Sequence, residues 1–456
     1  MAGPFGRSWM MFDRSFLEHL RDELSKSGAD FGEVFLKRST GTVVTRENDD
    51  EAVEALDDCG AGVRFRRGGD WSFSHITTGD PELIVSFARS MSAGRDPEKH
   101  GSMEISGKAE ESRESAGDTA GSLAAAASGV MEKGASSFLG VLRSANEEFS
   151  VITADGRIES DSRFRTAIYA QTHVRRDGKI AKGAECLMET GAAEEISLKE
   201  LVERAAGESL RLSTIHLDAK VSPEGEMEVV LSSRAAGMVV HEAVGHLFEA
   251  DCYGRGEMKG FIGSKVAASS FSLVEKGPDG HFASIDDEGN APSEQILIGN
   301  GKAVGLLSDL KRSVELGIGL TGNARRENHR FEPLPRIWRL ESPAGEGSDA
   351  ELCSEINIGL YVKRFSDGKV DRAKGEAFFP IAEGYLVRDG RLAEPVTNSG
   401  VSLKIPGFLK KISATGAERE ETRGLCVKRS QAVWTRESIP SLRLSKVVVR
   451  QADKQA

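Results

Sequence analysis

The chain has 456 residues, of which 39% are hydrophobic and 29% are charged, and its formal net charge at pH 7 is −11. This length predicts two or three domains with ample core, and the composition is that of an ordinary globular protein. The acidic balance disfavours nucleic acid as a partner, because a sequence-independent grip on its phosphates needs clustered Lys and Arg.

Apolar runs and cysteine usage indicate where the protein works. The sequence has no stretch near the roughly 18 consecutive apolar residues that a membrane span needs, so we expect no membrane partner. Residues 1–16 lack the apolar core of a secretory signal. The five cysteines are scattered and form no C-x-x-C pair, as is typical of a reducing compartment. Together these features predict a cytoplasmic protein whose thiols are free or bound to metal.

The first part of the chain predicts helices and short strands. Leucines at helical spacing predict a helix over 15–27, short apolar runs predict strands between 33 and 73, and helical spacing returns over 81–91. Residues 92–122 are polar, charged and rich in Ser and Gly. We therefore expect a long polar excursion or a mobile segment there.

A second strand-rich block follows this segment. Strands are predicted over 149–188, with Asp-Gly turns between them, and an amphipathic helix is predicted over 196–212. These elements predict an amino-terminal domain over residues 1–216, of mixed α+β type with antiparallel strands.

The remaining residues, 217–456, predict a strand-rich carboxy-terminal domain. Polar and apolar residues alternate over 226–231, which favours a strand, and a helix over 234–250 follows with Ser232 or Ser233 as its N-cap. After that helix the chain is rich in Gly and strand-like. Because strands follow one another here, we expect an antiparallel sheet or barrel, and the α+β class for the whole chain.

The predicted helix over 234–250 carries the motif H-E-x-x-x-H, formed by His241, Glu242 and His246. Two close imidazoles can grip Zn²⁺, and a carboxylate beside the first can act as general base toward water. The familiar zinc-protease spacing is one residue shorter, so on a regular α-helix the second imidazole would point about 140° away from the first. We therefore expect a π-bulge, kink or unwinding near Gly245, because glycine tolerates distortion best.

A catalytic zinc needs a third protein ligand and an open position. Spacing alone leaves this ligand open among carboxylates, thiols and imidazoles, both beside the motif and far from it. The candidates are Glu249, Asp251, Cys252, Cys353, Cys426, His281 and His329.

Five segments of the carboxy-terminal half carry a resemblance to a known family. They are residues 231–246, 286–289, 321–327, 383–386 and 424–431. These segments resemble the TldD branch of the TldD/PmbA metalloproteases, and the resemblance covers most of residues 225–435. The partner branch of that family lacks the metal motif, so this chain resembles the catalytic branch.

The resemblance implies a ligand set and an activity. The zinc ligands of the family are the two motif histidines and a cysteine near the carboxy terminus, which correspond to His241, His246 and Cys426, with Glu242 as the base. It implies a zinc-dependent peptidase of the cytosol that hydrolyses unfolded or extended peptides in a buried active site. It also implies a dimer, formed with a second copy or with a motif-free relative.

A thiolate ligand makes zinc a weaker Lewis acid, so we expect a compensating donor near the oxyanion. Arg325, Arg326, His329 and Tyr385 are candidates for this donor, although structural ion pairs explain the two arginines equally well. Asn323 belongs to a Thr-Gly-Asn segment that is either a turn on the substrate side or a turn alone.

Two other functions are consistent with the sequence. Relatives have carried a label as modulators of DNA gyrase, which would make this a non-catalytic binding or regulatory protein. The acidic charge and Glu242 count against that reading, because a structural metal site needs no carboxylate beside its ligand. A zinc amidase that acts on non-peptide bonds is the second alternative, and the sequence does not separate it from a peptidase.

Overall fold

The computed structural model describes most of the chain, with residues 111–116 described by their backbone alone. The described residues are 12–94, 111–191, 196–253, 261–279, 282–405 and 407–452. Among the helices in these ranges, none is long and apolar enough to cross a membrane.

An antiparallel sheet organises the amino-terminal half. Its six strands among the described residues are β1 (Phe31–Glu47), β2 (Asp50–Arg67), β3 (Asp70–Ile76), β4 (Ala135–Thr153), β5 (Ile158–Arg176) and β6 (Lys179–Thr190). Their order across the sheet is β3-β2-β1-β4-β5-β6. The strands predicted between 33 and 73 and over 149–188 are confirmed, but they are longer than the short apolar runs indicated.

Helices pack against this sheet. Within the described ranges they are α1 (Arg14–Ser25), α2 (Pro81–Ser92), α3 (Glu111–Glu132) and α4 (Leu198–Asp218). The helices predicted over 15–27, 81–91 and 196–212 are confirmed. α4 runs beyond residue 216, so the domain boundary predicted there falls in the last turn of a helix and stays a prediction.

The prediction of a polar excursion over 92–122 is wrong for its last part, because α3 begins at Glu111. Leu123, Ala126 and Val130 of α3 are buried in an apolar cluster with residues of the sheet. These small and apolar side chains form one helical face, and packing of that face stabilises a helix of otherwise polar composition. Residues 95–110 of the predicted excursion lie outside the described residues.

The two faces of the amino-terminal sheet bury different kinds of side chain. Val34 and Leu36 of β1 belong to an apolar core with residues of α1 and α2. Glu33 alternates with them on the other face, where it is fully buried and accepts hydrogen bonds from Arg64 and from Arg326 of the carboxy-terminal half. Because successive side chains alternate across a strand, one strand contributes to both layers.

The carboxy-terminal half is rich in strands. Its described elements are β7 (Lys220–Val221), β8 (Gly225–Leu231), α5 (Ser233–Ala243), β9 (Leu273–Glu275), β10 (Gln295–Gly299), β11 (Lys302–Ala303), α6 (Leu310–Leu316), β12 (Ala324–Arg325), β13 (Leu334–Pro335), β14 (Arg339–Glu341), α7 (Asp349–Ser354), β15 (Ile358–Phe365), β16 (Lys369–Asp371), β17 (Glu376–Arg388), β18 (Arg391–Thr397), β19 (Ser399–Lys404), β20 (Ile412–Arg419), β21 (Thr422–Lys428), β22 (Gln431–Ser438) and β23 (Pro440–Gln451).

These strands form two main sheets and a two-stranded ribbon of β12 and β13. The larger sheet has the order β15-β8-β23-β19-β17-β18-β7, with β16 paired to β17 and β20 paired to β23, and β15 also pairs with β17. The smaller sheet has the order β11-β10-β9-β14-β22-β21. Most neighbours are antiparallel, so the predicted α+β class with a strand-rich carboxy-terminal region is confirmed.

α5 connects the larger sheet to the motif. It follows β8 directly, and the Ser232 hydroxyl accepts a hydrogen bond from the Ala235 amide at 3.2 Å, which confirms the predicted N-cap. Val239, Val240 and Ala243 are buried in the main apolar core. The helix predicted to continue to residue 250 ends at 243, and that early end determines the geometry of the motif.

Candidate metal centre

The motif helix ends between its two histidines, and this brings their imidazoles together. α5 stops at Ala243, Val244 leaves the helix with φ −124° and ψ −53°, and a 3₁₀ turn runs over Gly245–Phe248. The ring centroids of His241 and His246 lie 4.9 Å apart, with the ring planes at 85°. The expected unwinding and convergence are confirmed, but the distortion is the tighter 3₁₀ turn and not the wider turn of a π-bulge.

Tight packing explains the glycine at position 245. A Cβ there would lie 2.6 Å from Ile337 Cδ1 and 2.8 Å from Leu340 Cδ1, both in fully buried side chains. We expect Gly245→Ala to lower the free energy of unfolding by about 1–3 kcal/mol, as measured by urea denaturation. Gly207→Ala in α4 is the matched control, since a Cβ there meets nothing within 4 Å. That change should raise the free energy by up to about 1 kcal/mol, and equal effects at the two positions would contradict the packing argument.

β21 delivers a cysteine to the two imidazoles. Cys426 pairs with Val433 of β22, and its side chain is buried. Its Sγ lies 3.2 Å from His246 Nε2. One potential ligand atom from each of His241, Glu242, His246 and Cys426 lies within 4.8 Å of the others. Residues far apart in the chain thus form one compact cluster.

Three of the other candidates for the third ligand form a separate group. Glu249, Asp251 and Cys252 also have ligand atoms within 4.8 Å of one another. The ammonium of Lys428 lies 2.6 Å from a carboxylate oxygen of Glu249 and 2.6 Å from one of Asp251. A cation of the protein itself therefore already occupies this group.

The distant candidates have other surroundings. Cys353 packs in a small apolar cluster with Ile356. His329 Nε2 lies 3.0 Å from the Thr77 hydroxyl in the amino-terminal half. His281 lies outside the described residues. The geometry therefore favours Cys426, the residue that the resemblance implies.

The donor atoms of the cluster fit zinc. At the tetrahedral angle, a zinc-bound sulfur and nitrogen are about 3.6 Å apart, close to the 3.2 Å between Cys426 Sγ and His246 Nε2. Both ring nitrogens of His241 are buried without a hydrogen bond of good geometry among the described residues. Its Nδ1 lies 2.8 Å from Glu437 Oε1, and its Nε2 lies among the ligand atoms of the cluster without a hydrogen bond of good geometry. A buried polar atom without a partner costs free energy, and a metal ligand bond would supply that partner.

The electrostatics of the cluster favour a thiolate. Burial opposes ionisation of Cys426, but the imidazoles of His241 and His246 outweigh it and lower the pKa of the thiol to about 4. Burial also acts to lower the imidazole pKa values, yet Cys426 and the carboxylates of Glu249 and Glu437 raise them. A thiolate between two imidazoles is a donor set that zinc prefers.

Each imidazole has a buried carboxylate at its Nδ1. Glu437 Oε1 lies 2.8 Å from His241 Nδ1, and Glu249 Oε2 lies 2.7 Å from His246 Nδ1. Carboxylates in this position orient a ligating ring so that Nε2 faces the metal. The sequence offered Glu249 only as a candidate ligand and did not point to Glu437. Glu437 is far from the motif in the sequence and reaches the site because β22 pairs with β21, where Glu437 lies opposite Thr422.

Glu242 lies at the open side of the cluster. Its carboxylate oxygens are 4.0 Å from His241 Nε2 and 3.7 Å from His246 Nε2. Its side chain is 29% exposed, against 5% and 2% for the two histidines. A cavity of about 190 Å³ opens here, and its other lining residues are Arg234, Met238, Thr422, Arg423, Gly424, Leu425, Cys426, Thr435 and Glu437. Glu242 can thus face both the metal ligands and a bound molecule.

The residues predicted to bind substrate have other neighbours. Arg325 contacts Trp338 and the Ile337 carbonyl. Arg326 contacts Glu33 and Asp287. His329 contacts Thr77, Tyr385 contacts Glu383, and Asn323 contacts the Arg336 carbonyl. Their role toward substrate stays a prediction. Arg234 and Met238 line the cavity beside the motif. They precede His241 and Glu242 at helical spacing on one face, and this pattern could have identified them from the sequence.

Comparison with known proteins identifies the family. The family model of the PmbA/TldA metallopeptidase C-terminal domain matches residues 224–451, which is half of the chain. The chain belongs to the PmbA/TldD metallopeptidase family. The matched region contains α5 and β21, so all four residues of the cluster lie within the family domain.

Relatives within the family are named as metalloproteases. The chain is 28% identical to a metalloprotease TldD homolog of Buchnera aphidicola and 29% identical to one of Haemophilus influenzae, over 66% and 68% of this chain. These matches span 65% and 66% of the relatives' length, just under two thirds. A relative in Saccharolobus solfataricus, 29% identical over 49% of this chain and 52% of its own length, is named a zinc metalloprotease.

Solved structures of the family share the fold. TldE of Thermococcus kodakarensis has a TM-score of 0.72 at 15% identity and is covered over 96% of this chain and 100% of its own. A Thermotoga maritima protein, provisionally named a modulator of a DNA gyrase, has a TM-score of 0.71 at 17% identity, over 96% of this chain and 99% of its own. At such identities the likeness supports the architecture alone.

Proposed function

We propose that this chain is a zinc-dependent peptidase that hydrolyses unfolded or extended peptides. The observation that carries the proposal is the convergence of His241, His246 and Cys426 around a position that Glu242 faces from an open cavity. His241, His246 and Cys426 are the proposed zinc ligands. Membership of a metallopeptidase family supports the same chemistry.

The roles of the residues follow from their places in the cluster. Zinc, when bound, would supply Lewis acidity, lowering the pKa of water to about 7 and polarising the scissile carbonyl. Glu242 accepts the proton of the attacking water and later passes it to the leaving amine. Glu437 and Glu249 hold the imidazoles in orientation. Arg234 and Arg423 are the cationic side chains among the residues that line the cavity.

The strand that carries Cys426 supports a preference for extended peptides. β21 is the last strand in the described part of its sheet, and alternate residues of an antiparallel strand turn their backbone groups away from the neighbouring strand. Leu425 and Val427 are 50% and 66% exposed on this strand. An extended peptide can pair with such an edge through its main chain.

The setting of the enzyme is part of the proposal. We place it in the cytoplasm, where its five free cysteines would stay reduced. We propose that it works as a dimer, with a second copy or with a motif-free relative of the same family. The support for the dimer is the family resemblance.

A regulatory function is the competing proposal, because two structural neighbours carry a gyrase-modulator name. The partly exposed base beside the buried donors favours catalysis, since a structural metal site is closed on all sides. A zinc amidase on non-peptide bonds would use the same residues, and the choice of substrate separates it from a peptidase.

Metal removal tests the proposed activity. We expect purified protein to cleave an unstructured peptide library, to lose cleavage on treatment with a chelator, and to regain it with about one equivalent of zinc per chain. The measurement is mass spectrometry of the products, with a tightly folded protein as the control substrate. Cleavage that survives complete zinc removal would contradict the proposal, and cleavage of small amides but of no peptide would favour the amidase.

A further inference from the structure

A buried group of charges lies beside His246, at the ring nitrogen opposite the one that faces Cys426. His246 Nδ1 is 2.7 Å from Glu249 Oε2, and Lys428 Nζ is 2.6 Å from that same oxygen. Lys428 Nζ is also 2.6 Å from Asp251 Oδ1. The side chains of Glu249 and Asp251 have no exposure, and that of Lys428 has 8%. The four residues form a continuous buried chain that ends on a proposed zinc ligand.

Strand geometry couples this lysine to the ligand cysteine. Cys426 and Lys428 are two residues apart on β21, so their side chains point to the same face of the strand. The Cys426 thiol therefore reaches the Nε2 side of the His246 ring, while the Lys428 ammonium reaches the Glu249 carboxylate on the Nδ1 side. Arg336 donates a hydrogen bond of 2.6 Å to the Cys426 carbonyl and anchors the strand at this point.

The charges of this group explain why the lysine is needed. Glu249 and Asp251 bring two buried carboxylates together, and such a pair is costly without a cation. Lys428 is the cation in hydrogen-bond contact with both, while Arg336 Nε is 3.9 Å from Glu249 Oε1 and Arg429 Nη2 is 3.3 Å from Asp251 Oδ2. Without Lys428, Glu249 keeps the imidazole as its hydrogen-bond partner and Arg336 at 3.9 Å, but it loses the hydrogen bond that Lys428 donates to Oε2.

We propose that Lys428 is a positioning residue of the zinc site, which holds the Glu249 carboxylate against His246 Nδ1. The hydrogen bond keeps the ring proton on Nδ1, so that Nε2 presents its lone pair to zinc. Lys428 thus acts through Glu249 and touches neither metal nor substrate. The inference rests on the proposed zinc site, and it adds the residue that orients one of its ligands.

Zinc affinity of the full chain tests this role. We expect Lys428→Met to weaken zinc binding by about 10- to 100-fold, the usual effect of losing a group that orients a ligand. The dissociation constant is measured by competition with a chromophoric chelator. Lys37→Met is the matched control, because Lys37 is equally buried at 7% exposure and pairs with Glu147 in the amino-terminal sheet. It should unfold more easily and bind zinc like the wild type.

Two further readouts separate positioning from general loss of structure. Glu249→Gln should weaken zinc binding to a similar degree. The zinc affinity of the double variant should be no lower than that of the single variant with the lower affinity, since both changes break the same linkage. In ¹⁵N NMR spectra of the zinc-loaded protein, the His246 Nδ1 proton should exchange slowly with solvent in the wild type and faster in Lys428→Met. Lys428→Gln, which keeps a hydrogen-bond donor, replaces the methionine variant if that variant does not fold.

A folded Lys428 variant with wild-type zinc affinity and wild-type His246 spectra would overturn the inference. Additive losses in the double variant would overturn it as well, because the lysine would then not act through Glu249. Wild-type protein that binds no zinc would instead overturn the proposed function, and the two failures are therefore distinguishable.

Discussion

Glu242→Gln should lower peptide cleavage by on the order of 10²-fold or more while leaving zinc in place, because the amide cannot accept the proton of the attacking water. The substitution keeps the size of the side chain. The Glu242 oxygens lie 3.7 Å or more from the histidine nitrogens, beyond hydrogen-bond distance, so we expect the fold and the proposed ligand set to survive the loss of its charge. The measurement is cleavage rate beside zinc content and melting temperature in the same preparation.

Glu228→Gln is the matched control for this variant. Glu228 has similar side-chain exposure, 34% against 29%, and pairs with Arg443 away from the cavity. We expect it to cleave like the wild type. Near-normal cleavage by Glu242→Gln would reject the assigned base, whereas loss of zinc or stability without a separable loss of activity would favour the regulatory protein.

Cys426→Ser should lose most of its zinc, with affinity lowered by more than about 100-fold. A hydroxyl does not ionise near neutral pH, whereas the imidazoles hold the Cys426 thiol pKa at about 4, so the variant loses an anionic ligand. The loss should exceed the 10- to 100-fold effect of removing a group that only orients a ligand. Zinc per chain, measured by elemental analysis after dialysis, checks the result.

The other cysteines near a possible site serve as controls. Cys252→Ser changes a thiol that lies 3.9 Å from Asp251 Oδ1 in the neighbouring group, and Cys353→Ser changes one in a separate apolar cluster. Both variants should keep about one zinc per chain. Full zinc in Cys426→Ser together with loss in Cys252→Ser would show that the third ligand had been assigned wrongly.

The motif could be predicted from sequence because its chemistry is local. His241, Glu242 and His246 lie within six residues, and the helical mismatch between the histidines predicted a distortion that the structure contains. The form of the distortion was not predictable from the motif, where Gly245 packs against Ile337 and Leu340. Those contacts come from a distant segment, and spacing within the motif carries no information about them.

The surroundings of the site depend on strand pairing and were largely out of reach. Glu437 reaches His241 only because β22 lies beside β21, and Lys428 reaches Glu249 from 179 residues away. The one sequence feature that pointed to Lys428 was its position two residues after Cys426, a predicted ligand, on the same strand. The pairing of Arg326 with Glu33 across the two halves was likewise out of reach, and the role of Arg326 toward substrate stays a prediction.

The most direct test of the proposed centre is zinc K-edge X-ray absorption on the zinc-loaded chain. We expect one sulfur at about 2.3 Å and two imidazole nitrogens at about 2.0–2.1 Å, with the remaining contact from a light atom. The sulfur should be absent in Cys426→Ser loaded with excess zinc. A coordination sphere of nitrogen and oxygen alone in the wild-type protein would contradict the proposed centre.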